Sequence, residues 1–425
     1  MLVLASATSL VAPPLWLVLP FVVLLLTLAA LPLSAPKFWE HWHKWIITAL
    51  SAVPVAYYTI AYRTAVPYGH VLWEYFSFMV VVGGFFVVSG GLDLRVKGEA
   101  KPLANCAFLL VGALLGNLIG ATGASMLLIR PWIRSNKYRF TGMHAAFFIF
   151  VIGNLSGGLT PLGPPLFMGY LKGVPFWWSA LHCWLGWLLT LSVVIATFYV
   201  WDRRNYLRAP APVSAEMTRH ERWHAQGLHQ LVFIAAMLAS VILAPDGYRE
   251  LLILISAILS YLTSKSIRQA HSFSFAPLNE VGWIFLGIFA TMKPVLDVMT
   301  LHAEALGLHT PRQFYWASGV LSGILDNAPT YLTFVAAAFG LNHLALDNPQ
   351  DMAAFLTNHG SLLAAISLGS TCFGALTYLG NAPNLMIKAI CDHSGVRTPH
   401  FFEFACRYSL PVLVPAFLLV SWLLL

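Results

Sequence analysis

Asp326 stands in the run Leu-Asp-Asn-Ala-Pro at 325–329, inside an otherwise apolar stretch. An ionisable group at membrane depth is expensive and marks an ion pathway or a proton relay by default. The same run reads as a helix start, with Asp or Asn as N-cap and Pro in the first turn. Asp326 is therefore either a ligand for a coupling ion or proton, or a cap. Oxygen-bearing side chains recur in similar settings. Asn327 and Thr330 adjoin it, and Thr377, Asn381 and Asn384 follow; Asn117, Thr122 and Ser125, then Asn154, Ser156 and Thr160, come earlier. Amide, hydroxyl and freed carbonyl oxygens suit hard cations such as Na⁺, while freed helix N-termini suit anions. Ser125 and Thr330 also read as helix-packing residues. Lys293 either snorkels outward, pairs with Asp297 one turn on, or takes part in coupling.

These groups bring no soft ligands, which argues against a transition metal. The 15 histidines show no ligand spacing, and the five cysteines make no C-x-x-C pair. No cofactor and no fixed metal site are expected, and no disulfide framework. There is no H-E-x-x-H, no G-x-S-x-G and no pair of intramembrane aspartates, so an enzyme is not expected.

The elements that must hold these side chains are membrane helices. Of the 425 residues, 58% are hydrophobic and 10% charged, where a soluble protein carries about 25% charged. Apolar stretches near the length of about 20 residues that spans a bilayer recur from end to end. The first reads as a retained helix, not a signal peptide. The net charge of +7 has a topological explanation rather than a nucleic-acid partner, because cytoplasmic loops collect Lys and Arg. Of 24 basic residues, 19 fall in one alternating set of polar gaps. If that set is cytoplasmic, both termini lie outside. The segments 102–129 and 314–339 then enter and leave on one side, as re-entrant hairpins broken at 120–123 and 326–329. The expectation is an all-α polytopic membrane protein with about ten transmembrane helices, two hairpins and two broken helices. It forms one transport domain: N-terminal helices at 1–70, a first repeat at 71–201, a cytoplasmic linker at 202–226, connecting helices at 227–278 and a second repeat at 279–425.

The repeat rests on two stretches. Leu159–Gly163 and Leu376–Gly380 both read L-T-x-L-G, with Pro, apolar residues and a lysine following (Lys172, Lys388). The first half enters from outside and the second from inside, an inverted repeat. Secondary transporters place their sites where broken helices of inverted repeats meet near the midplane. Irregular backbone at that depth must be buried in protein or line a wet cavity.

Four segments, "GATGASMLLIRPWIRSNKYR" at 120–139, "GGLTPLGPPLFMGYLKGVPF" at 157–176, "GILDNAPTYLTF" at 323–334 and "LGNAPNLMIKAICDHSGV" at 379–396, resemble the ion transporter superfamily. They look most like its NhaD-type sodium/proton antiporters and related citrate transporters, over roughly residues 75–425. The resemblance implies hairpin tips that line sodium and substrate sites, here Asn117, Thr122, Ser125, Thr160, Asp326, Asn327, Thr330, Thr377 and Asn381. Many similar sequences carry an acid between the glycine and the prolines of the first break, whereas here Gly163 is followed directly by Pro164. Asp326 is then the acid at the breaks. Na⁺/H⁺ antiport by alternating access is the leading expectation, with one carboxylate binding Na⁺ and H⁺ in competition. The alternative is cation-coupled transport of citrate or a dicarboxylate. Against it, neither break carries an Arg or Lys to neutralise a polyanion. Expected partners are the lipid bilayer, a small inorganic cation or an organic anion, and a second copy in a homodimer. The expected location is the plasma (inner) membrane if the chain is prokaryotic.

Overall fold

A computed structural model describes residues 13–61, 66–95, 101–208, 224–270 and 273–425. Apart from one pair of three-residue strands, Asp93–Arg95 with His224–Gln226, every regular element among them is helical. The expected cytoplasmic linker falls mostly on 209–223, outside the described residues. Among the described residues, seven helices are long and apolar enough to cross a membrane, or eight if the pair Pro349–Asn358 and Gly360–Leu376, bent by 91°, counts as one span. About ten were expected. Broken and short helices, such as Gly142–Gly157 and Gln230–Leu243, fall below span length and account for the difference.

Helix faces follow the two environments. In Trp178–Arg208, Leu181, Trp184 and Leu188 are exposed, while Cys183, Gly186, Trp187, Thr190 and Val194 are buried. That stripe pattern is the one expected when one side meets lipid and the other meets protein. The core is aromatic where three elements converge: Phe78 lies 4.4 Å from Phe285 and 6.0 Å from Phe167 between ring centroids.

The segment Pro102–Ser135 is helical on both sides of Gly120, whose φ of 77° lies in the region glycine adopts at little cost. A straight helix of that length would extend about 50 Å at 1.5 Å per residue. Instead its ends meet. Asn105 Nδ2 donates to Asn136 Oδ1 at 2.8 Å, and the rings of Phe108 and Trp132 stack at 5.3 Å. The chain therefore doubles back at Gly120, as a hairpin must. The second hairpin is made of Pro311–Ser322 and Asn327–Leu341, with Phe314 and Phe334 in ring contact across its arms.

The first broken helix runs as Gly142–Phe148, a π-helical turn at Ile149–Asn154 and a 3₁₀ turn at Leu155–Gly157, then loses helical form until Pro164–Leu171. The second runs as Gly360–Cys372 and a 3₁₀ turn at Phe373–Leu376, then restarts at Ala382–His393. One pattern of contacts holds both. Thr160 Oγ1 donates to the Asn117 carbonyl at 2.6 Å, and Thr377 Oγ1 donates to the Gly323 carbonyl at 2.7 Å. A methyl on Gly163 would lie 2.2 Å from the Gly157 carbonyl oxygen, and one on Gly380 would lie 2.6 Å from that of Gly374. In each half the L-T-x-L-G run thus folds its glycine onto a glycine six residues earlier and ties its threonine to a hairpin tip.

Candidate functional site

Asp326 ends the irregular turn of the second hairpin. Its Oδ1 accepts from the Ala328 N–H at 3.1 Å, and its carbonyl accepts from Thr330 Oγ1 at 2.9 Å. The capping role is therefore present. It does not exhaust the residue, because Asp326 also lines a cavity of about 420 Å³. Thr122 of the first hairpin, Pro164 of the first break and Asn381 and Ala382 of the second break share that wall. Three helices, Pro164–Leu171, Asn327–Leu341 and Ala382–His393, begin at the cavity. Their positive ends face the space that holds the Asp326 carboxylate.

Among the residues singled out from sequence, Thr122, Asp326 and Asn381 reach the cavity. The others join the breaks to one another and to the hairpins. Asn154 Nδ2 donates to Asn384 Oδ1 and to the Ile149 carbonyl, each at 2.8 Å. Asn381 Nδ2 donates to the Gly153 carbonyl at 2.9 Å and to Asn154 Oδ1 at 3.3 Å. Asn384 Nδ2 donates to the carbonyls of Gly374 and Thr377 at 2.9 and 3.0 Å. These three amides fasten the first break directly to the second. Asn117 accepts from the Leu159 N–H at 2.9 Å. With its amide turned to suit its neighbours, Asn327 Nδ2 donates to the Ser322 hydroxyl and to the Ser370 and Gly380 carbonyls. Ser125 is buried, with its hydroxyl 3.5 Å from the Ile152 carbonyl. Lys293 pairs with Asp297 at 2.7 Å, and Tyr58 donates to the other carboxylate oxygen at 2.6 Å. This joins the N-terminal helix Pro36–Ala61 to Ala276–Leu301.

The contact pattern explains why the charge sits in one half. Counting from the threonine-bound carbonyl, Gly120 occupies the place that Asp326 occupies in the second hairpin. A side chain at Gly120 would need a positive φ, and its Cβ would lie 2.9 Å from the Leu162 carbonyl oxygen. Gly163 is equally closed. The first half has no room for an acid at either glycine.

Sequence reasoning missed several parts of this region. Leu25, Leu28 and Trp39 of the N-terminal helices wall the cavity, and so does Glu280. Glu280 was visible as an acid near a span end, but only packing turns it toward Asp326's cavity. A second hollow of about 480 Å³ adjoins the first and shares Ala276, Pro277, Met386 and Ala389 with it. Elsewhere, Asp202 is fully buried with Arg139, His144 and Asn105 around its carboxylate. Thr141 N–H donates to His144 Nδ1 at 3.2 Å, so Nε2 carries the proton that faces Asp202 at 3.1 Å.

A family profile described as "Putative citrate transport" matches residues 10–425. The chain belongs to this family. Membership makes it a multi-pass integral membrane transporter. The match extends through the N-terminal helices, which the resemblance over 75–425 had left out and which the structure places in the cavity wall. No curated protein matches the chain.

Proposed function

We propose that the chain is a secondary active transporter that exchanges Na⁺ for H⁺ by alternating access, with Asp326 as the exchanging carboxylate. The observation that carries this reading is the placement of Asp326 at a hairpin tip, in a cavity bounded by the other hairpin and both breaks. Thr122 and Asn381 supply neutral oxygens in the same wall, a donor set that suits a hard monovalent cation. Na⁺ and H⁺ compete for the carboxylate, and the two halves, arranged as an inverted repeat, expose it alternately to either side. The face rich in Lys and Arg is the cytoplasmic one, with both termini outside. No resident cofactor takes part. The test is purified protein in liposomes with an internal pH dye. Na⁺ should drive proton movement in the parent protein, and Asp326→Asn should abolish it while the protein still elutes as one species. Undiminished exchange in that variant would sink the assignment.

The family description is compatible with a second reading, cation-coupled transport of citrate or a dicarboxylate. The three helix N-termini at the cavity are compatible with a carboxylate. Accumulation of labelled citrate in the same liposomes, dependent on a Na⁺ or H⁺ gradient, supports it over exchange.

A further inference from the structure

The 480 Å³ hollow beside the central cavity is walled by Arg130 and Arg134. The two stand one helical turn apart on the return arm of the first hairpin, so their side chains share a face. Arg130 lies within the membrane-spanning segment and is half-buried. Among the described residues, neither guanidinium has an ion-pair or hydrogen-bond partner. The buried arginines differ: Arg139 is paired with Asp202, Arg249 with Asp246 and Glu250, and Arg268 donates to the Val87 and Ser260 carbonyls. Asp93 and His393 complete the charged part of the wall. Asp93 attracts Arg130 across the hollow, while the like charge of Arg134 repels it.

Two like charges held on one helix face repel, and a guanidinium out of bulk water without an acceptor is costly. Such a pair is relieved by an anion that carries more than one carboxylate, since each guanidinium forks onto a carboxylate with two parallel hydrogen bonds. Arginines placed only by the charge bias of membrane loops would sit at the outer surface, whereas Arg130 lines a hollow that shares four wall residues with the cavity of Asp326. We propose that Arg130 and Arg134 form an anion-binding vestibule that captures a di- or tricarboxylate before it reaches the central cavity. The proposal rests on the organic-anion reading above. It supplies, outside the breaks, the positive charge that the breaks lack.

The test is calorimetric titration of citrate into the purified full chain in a neutral, lipid-free detergent, which removes anionic lipid headgroups as competitors. The parent protein should bind citrate, with affinity falling as NaCl is raised. Arg130→Gln with Arg134→Gln should weaken binding at least about tenfold, the gap expected for losing charge-assisted hydrogen bonds. Arg134→Gln alone, at an exposed position that folding does not need, should weaken it by a smaller factor. Arg203→Gln, an exposed basic residue elsewhere, should leave it unchanged. Three results would overturn the proposal: no citrate binding by the parent protein, undiminished binding in the double variant, or equal loss in Arg203→Gln. If Na⁺-driven proton movement persists alongside any of these, the exchange reading stands while the vestibule falls.

Discussion

Asn154, Asn381 and Asn384 show how much of the broken region rests on single amides. Each is buried and each crosses from one break to the other or closes its own turn. Replacing Asn154 with Ala leaves the Asn384 oxygen without this donor and removes the side-chain bond to the Ile149 carbonyl. The expected cost is about 1–3 kcal/mol, read as a lower unfolding temperature in detergent. Because Asn154 and Asn384 share one hydrogen bond, the double alanine variant should cost less than the sum of the singles, by at least about 0.5 kcal/mol. Strict additivity would mean that the contact contributes nothing. The glycines are as constrained. Gly163→Ala and Gly380→Ala press a methyl onto backbone carbonyl oxygens, with an expected cost of about 1–3 kcal/mol from overpacking. Gly69→Ala, with nothing within 4 Å of the added methyl, should be nearly neutral in the same measurement.

At the scale of elements, the breaks are held as replicas of one another. If the hydroxyls of Thr160 and Thr377 do the same work, Thr160→Val and Thr377→Val should destabilise by similar amounts, about 1 kcal/mol each. Matched thermal shifts support equivalence of the halves, and a large loss in one alone argues against it. A different tie secures the first hairpin. Its two arms and the helix Trp178–Arg208 meet at Asp202, which balances the charge of Arg139. Asp202→Ala leaves that guanidinium buried without its counter-charge, at an expected cost of about 3–5 kcal/mol. Asp202→Leu combined with Arg139→Met should recover much of the loss. Both variants are read by thermal unfolding, and failure of the pair to recover would assign the cost to packing instead.

Across the whole molecule, an ion triad ties together segments remote in the chain. Lys172, at the end of Pro164–Leu171, donates to Glu74 and to Asp347 at 2.7 Å each. It therefore links the first break to the helix Val66–Ser89 and to the loop after the second hairpin. Burial penalises the ammonium, but Glu74 and Asp347 outweigh that penalty and hold Lys172 above its ordinary pKa. A raised lysine pKa adds stability that is present below the ordinary lysine range and is lost as pH rises through the folded value. The latch should thus hold across neutral pH and loosen in strong alkali, where Lys172 loses its charge. Lys172→Gln should raise amide hydrogen exchange at 170–176 and 344–350 at neutral pH, with little change around Arg130 and Arg134. Uniformly unchanged exchange would remove the latch.

Sequence alone determined the membrane class, the two hairpins, the two breaks and the L-T-x-L-G correspondence. Hydropathy, charge bias and Gly/Pro runs are local signals, and a bilayer leaves few other ways to satisfy the backbone. It also singled out Asp326, since an acid in an apolar run stands out without any fold. Which polar groups face open space was not legible. Thr122 and Asn381 line the cavity while Asn117, Asn154 and Asn384 are consumed in cross-ties, yet in sequence all five look alike. Glu280, Trp39, Arg130 and Arg134 carry no sign in sequence of the hollows they line, because helices remote in the chain complete the walls. A residue's type and spacing set what it can bind. Only the tertiary structure decided which of these groups remain unpaired, because partners such as Asn154 and Asn384 lie as far as 230 residues apart in the chain.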